Sequence, residues 1–86
     1  MSKKIHELTV FKRDFVAVKK GEKKCELRPD EACEQKYNVG DILRIEETEN
    51  AIRTGRSIDV VVTHITTFRA EGQNWALMSF KKKGKK

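Results

Sequence analysis

The sequence predicts an α+β domain: a small β-barrel of about five strands with one short helix after the first strand. Three observations carry this. Segments of alternating or continuous apolar character recur after residue 24, each bounded by turn residues. One stretch, Phe11, Phe15 and Val18, has the i, i+4, i+7 spacing of a helical face. At 86 residues and 37% hydrophobic content, the chain has apolar material for one small core and none to spare for a second.

Ile5, Leu8 and Val10 open the chain with strand-compatible residues. A helix is expected over about residues 12–20. Asp14 falls in its first turn, Lys19 and Lys20 fall in its last, and Gly21 stands where a left-handed cap belongs. The alternating run from Lys24 to Arg28 reads as a strand stopped by Pro29, followed by a polar loop over residues 29–38. Asn38-Val39-Gly40-Asp41 is a turn and Ile42 to Glu46 a strand, with a further turn expected near Thr54-Gly55. Ile58 to Ile65, with valines at 60 to 62, is the centre of the sheet. Trp75 to Phe80 is the last strand, after a link through Glu71-Gly72-Gln73. Residues 1–80 are read as the domain and residues 81–86 as a disordered lysine-rich tail.

The net charge of +6 is unevenly spread. Residues 1–11 carry +1, residues 12–28 carry +4, residues 29–80 carry −4 and residues 81–86 carry +5. Such basic stretches attract polyanions without reading sequence, and a frayed solubilising end would look the same. Cys25 and Cys33 have no secretory segment ahead of them, and no apolar run approaches the length of a membrane span, so a cytoplasmic protein with no membrane partner is expected. His6 and His64 are far apart and the two cysteines form no ligand spacing, so no metal is expected.

The segment that narrows the function is Gly21-Glu22-Lys23-Lys24-Cys25-Glu26-Leu27-Arg28, which fits G-x-K-x-x-E-x-R. In an extended strand Glu26 and Arg28 share one face, while Cys25 and Leu27 share the other and are expected to pack inward. Strict alternation puts Lys23 opposite Glu26, so Lys23 joins the pair only if the chain bends after the helix cap, which is expected. A carboxylate acceptor beside a forked donor suits a base edge or ribose hydroxyl and a phosphate or carbonyl. The competing reading is a solvated ion-pair network worth about 0 to 1 kcal/mol.

With His6-Glu7-Leu8 ahead of it and Val39-Gly40-Asp41-Ile42-Leu43 behind it, this motif resembles the ASCH domain family of the PUA-like superfamily, from about His6 to Phe80. The resemblance implies a PUA-like barrel with a cleft beside the helix, RNA binding and no cofactor. In some bacterial members it implies removal of the acetyl group from N4-acetylcytidine. The lysine and arginine of those deacetylases fall on Lys23 and Arg28, but Glu26 stands where they have a catalytic threonine. Their catalytic glutamate comes from a longer insertion, in whose place residues 67–74 carry one acid, Glu71.

The expected function is therefore binding of RNA or a modified nucleoside by a monomer. Lys23, Glu26 and Arg28 form the cleft, and Lys19, Lys20 and Lys24 add attraction. An amidohydrolase with Lys23 and Glu26 as catalytic groups, and a protein-interaction module using the acidic stretch Glu46 to Glu49, are the alternatives. Trp75 and Tyr37 are candidate stacking surfaces, with core filling the more ordinary role for Trp75. His64 is expected in the core or at the barrel end, as is His6, and Cys33 is expected exposed in its loop. Arg44, Arg53, Arg56 and Arg69 either extend a basic surface or are solvated charges.

Overall fold

The structure, a computed structural model, describes residues 4–30 and 37–83. It is mostly β, a curled five-stranded half-barrel with one short helix. In chain order the elements are β1 (Ile5–Phe11), α1 (Lys12–Lys20), β2 (Cys25–Pro29), β3 (Ile42–Glu49), β4 (Ile52–Ala70) and β5 (Gln73–Lys82). They form one sheet in the order β1-β3-β4-β5-β2. Among the described residues only β1 and β3 pair in parallel, which needs a long crossover; α1 and β2 lie within it.

The helix follows its sequence signals. Phe15 and Val18 are buried against the sheet, and Gly21 caps the end at φ 83 with its amide donating to the Val18 carbonyl. The core runs along the concave side, where Leu8, Val10, Leu43, Ile45, Val60, Val62, Met78 and Phe80 meet the helix. Alternate residues of β3 and β5 supply it, as period two requires.

Three expectations need correction. The turn expected at Thr54-Gly55 is not a turn. The chain reverses at Asn50 and Ala51, both at positive φ, and β4 then runs unbroken for 19 residues. Gly55, at φ 96, instead sits in an irregularity where the β3–β4 register shifts between Glu46 and Thr48. His64 is exposed, because the register of β4 shifts again between Val62 and His64 and turns the imidazole to the convex side. Lys81 and Lys82, expected in the tail, belong to β5. Lys81 and Lys82 pair with Val61 and Val60, and the Lys83 amide donates to the Asp59 carbonyl. Residues 84–86 lie outside the described residues, as does Cys33.

Two carboxylates tie distant segments together. Asp41 accepts from His6 Nε2 at 2.8 Å and from the amides of Lys4 and Asn38, joining the start of β1 to the turn before β3. Burial pushes its carboxyl up, but these bonds outweigh burial and hold it below the usual range. On the convex face, the two-pronged hydrogen bond from Arg44 holds Asp59 down, against a smaller opposing push from burial. Both folded-state values lie below the ordinary aspartate value of 3.8. The stability these groups contribute is therefore fully present above that value and lost as pH falls through the folded-state values. The melting temperature should fall steeply once pH drops below about 4, and Asp41→Asn should flatten that fall. Identical acid limbs for wild type and Asp41→Asn would contradict this.

Candidate functional site

Register decides which way β2 faces. Glu26 pairs with Met78 and Arg28 with Ala76, and both partners are fully buried residues of β5. Glu26 and Arg28 therefore point to the concave side, while Cys25 and Leu27 point outward, the reverse of the expectation that Cys25 and Leu27 pack inward. The strong apolar alternation of Ala76, Met78 and Phe80 sets the face, and the short β2 follows it.

The motif residues meet. Arg28 Nε donates to Glu26 Oε2 at 2.9 Å, and Lys23 Nζ stands 3.6 Å from Glu26 Oε1. Lys23 reaches it because the chain turns at Gly21, where the Glu22 and Lys23 amides both donate to the Ala17 carbonyl. Arg28 Nη2 also donates to the Thr9 carbonyl at 3.0 Å. It thus bridges β2 and β1, the two open edges of the sheet.

Between those edges lies a hollow of about 260 Å³, walled by Thr9, Val10, Phe11, Asp14, Glu26, Arg28 and Thr48. Glu26 is 8% exposed, and its Oε1 is buried with no hydrogen-bond partner. A carboxylate oxygen in that state costs stability unless something donates to it. Phe11, 76% exposed at the rim, offers an apolar face beside it. Thr9, Asp14, Phe11 and Thr48 belong to this wall without any motif to announce them; Asp14 reads in sequence only as a helix-dipole residue.

On the far side of Lys23 is a second hollow of about 450 Å³, lined by Val18, Gly21, Lys23, Lys24, Phe80, Lys81 and Lys82. Four of these seven residues are lysines. Lys82 Nζ is turned to the Lys19 carbonyl at the helix end. Lys19 and Lys20 are exposed on the last turn of α1 and line neither hollow.

The other candidates separate from the site. Tyr37 is buried edge-on against His6, with ring centroids 4.8 Å apart, so it offers no stacking surface. Trp75 is half-buried on the convex face and donates Nε1–H to the Ala70 carbonyl at 3.3 Å. The arginines are engaged locally: Arg44 with Asp59, Arg53 with Glu46, Arg56 near Glu47 and Arg69 with Asn74. Two glutamates of the acidic stretch are engaged in these contacts, and Glu47 is buried and accepts from Thr54 Oγ1 at 2.6 Å. Among the described residues no group of three or more His, Cys, Asp or Glu could hold a metal ion, and no helix is long and apolar enough to cross a membrane.

No curated protein matches the chain. A family model does match it, over residues 5–80, the span that contains every strand and both hollows apart from the last two lysines. The chain belongs to the family described as Domain of unknown function (DUF3850).

Proposed function

We propose that this protein binds RNA, or a modified nucleoside, at the hollow between β1 and β2. Glu26 reads the base and the neighbouring lysines hold the phosphate backbone. The observation that carries this reading is the buried Oε1 of Glu26 on the wall of that hollow, which accepts no hydrogen bond and has only the Lys23 ammonium, 3.6 Å away, as an ion-pair partner. Its partner atom Oε2 is already taken by Arg28, so Oε1 is the acceptor left for an amino or imino N–H of a base. Phe11 at the rim gives a base a face to lie on. The lysine-lined hollow adjoins through Lys23, which suits a chain running from one to the other. The likeness of the Gly21-to-Arg28 motif to ASCH domains of the PUA-like superfamily supports the same function.

The test is titration of short single-stranded RNAs of differing base composition at several salt concentrations. Glu26→Gln should change base preference and leave the salt slope alone. Lys81→Ala with Lys82→Ala should flatten the slope by up to about 0.7 per lost phosphate contact without changing preference. An unchanged ligand profile in Glu26→Gln rejects the site.

A second reading is favoured by one contact, the Lys23 ammonium 3.6 Å from Glu26. In that reading Glu26 takes a proton from water as it attacks the acetyl carbonyl of N4-acetylcytidine. Lys23 stabilises the oxyanion, Glu26 returns the proton to N4 as the C–N bond breaks, and acetate and cytidine leave. Acetate release that disappears in Lys23→Ala would establish it, and intact N4-acetylcytidine after long incubation would leave binding alone.

A further inference from the structure

Glu26 and Arg28 are not the last side chains that β2 sends to the concave side. The Asp30 amide donates to the Asn74 carbonyl at 2.8 Å, which carries the β2–β5 ladder one residue past Pro29 and puts Asp30 on the face of Glu26 and Arg28. Asp30 is 5% exposed, and its Oδ1 is buried with no hydrogen-bond partner. It lines a third hollow of about 240 Å³, together with Tyr37, Asn38, Val39, Ile65, Thr67 and Ala76. Among the described residues of that wall, Asp30 alone is charged. The side opposite is held in place, since the Asn38 amide donates to Asp41 Oδ2 at 3.0 Å and the Gly40 amide to the Val62 carbonyl at 2.9 Å.

A buried carboxylate oxygen without a donor is costly to keep, and a ligand that brings an N–H removes that cost. The surroundings narrow the ligand further. An anionic group would meet Asp30 with no cation beside it. A free organic cation would have to approach a chain of net charge +6. A nucleotide escapes both penalties, because its N–H donor sits on a neutral base while its phosphate stays with the lysines. Position agrees: Ala76, in this wall, pairs with Arg28 on one side and Thr67 on the other, and Arg28 lines the Glu26 hollow. At about 240 Å³ the space lies below the ~300 Å³ lower end of drug-sized pockets, which suits a single base.

We propose that the Asp30 hollow is a second base subsite, across Arg28 from Glu26, that selects an amino-bearing base over uracil. This subsite, which rests on the reading of the Glu26 hollow as an RNA site, takes a neighbouring nucleotide. Glu26 and Asp30 stand about 13 Å apart along the strand, so the two carboxylates meet different bases. A carboxylate can only accept. Cytosine and adenine offer it an exocyclic amino group, and guanine an amino and an imino N–H. Uracil offers one imino N–H between two carbonyl oxygens, which the carboxylate repels.

Titration of cytidine and uridine hexanucleotides into wild type, Asp30→Asn and Glu26→Gln tests this. Wild type should bind the cytidine hexamer about tenfold more tightly, and Asp30→Asn should lower that ratio at least about threefold. The ratio is the quantity to read, because removing one negative charge tightens every RNA alike. Bound cytidine hexamer should shift the amide resonances of Asn38 and Thr67; these shifts should vanish in Asp30→Asn while those at Phe11 and Thr48 persist. The urea midpoint of Asp30→Asn should equal or exceed that of wild type, since no bond to Oδ1 is lost. A lowered midpoint would mark Asp30 as a structural support and overturn the subsite. A ratio that responds to Glu26→Gln but not to Asp30→Asn overturns it too, and leaves the Glu26 site standing. Failure of wild type to bind either hexamer overturns both.

Discussion

Arg28→Ala is expected to lower folding stability by about 3 kcal/mol and to abolish ligand binding. The guanidinium has two structural partners at once. Removing it leaves Glu26 Oε2 without its donor at a site where the Glu26 side chain is 10% exposed, and removes the bond to the Thr9 carbonyl that holds β1 and β2 together. Lys23, at 3.6 Å from the other carboxylate oxygen, offsets part of the loss through charge but cannot restore the bridge between strands. The double variant Glu26→Leu with Arg28→Met should recover most of the stability, since apolar groups of similar volume avoid the desolvation cost of the pair, and should still bind nothing. Urea denaturation with parallel RNA titration separates the two effects. A loss under about 1 kcal/mol for Arg28→Ala would mean the pair behaves as a solvated surface bridge.

That contrast shows which parts of the molecule the sequence makes legible. The helix was readable because four independent signals agree on it: apolar spacing, Asp14 at one end, Lys19 and Lys20 at the other, and Gly21 after them. Convergence of Glu26 and Arg28 was readable too, because period two alone puts them on one face. The direction of that face was not. β2 has five residues and two candidate apolar positions, so its own pattern favours burying Leu27. Pairing with β5, whose alternation runs through three buried residues, overrules it. The Asn50-Ala51 reversal was hidden because it lacks the glycine that usually marks such a turn, while the glycine at position 55 marks a register shift instead. The opposing wall of the hollow was illegible for a different reason. Thr9, Phe11 and Thr48 meet β2 only because β1 and β2, distant in sheet order, curl toward each other.

Ile45→Ala should cost more than any substitution at an exposed position, about 2 to 5 kcal/mol, whereas Ile52→Ala should cost less than about 0.5 kcal/mol. The two isoleucines lie seven residues apart on neighbouring strands and differ only in where the curl of the sheet puts them. Ile45 is fully buried, with Leu8 of β1 on one side and Ile58 of β4 on the other. Its loss opens a cavity in the layer that couples the parallel and antiparallel parts of the sheet. Ile52 begins β4 at 70% exposure, next to the reversal, and its side chain is already in water. An 86-residue domain has a total stability of roughly 4 to 13 kcal/mol, so the Ile45 variant consumes a large share of it. Midpoints of urea unfolding should separate the two variants clearly at unchanged slope. Equal midpoints would mean that β1 and β3 are not packed through Ile45, and that the edge carrying Thr9 is not held where the hollow requires it.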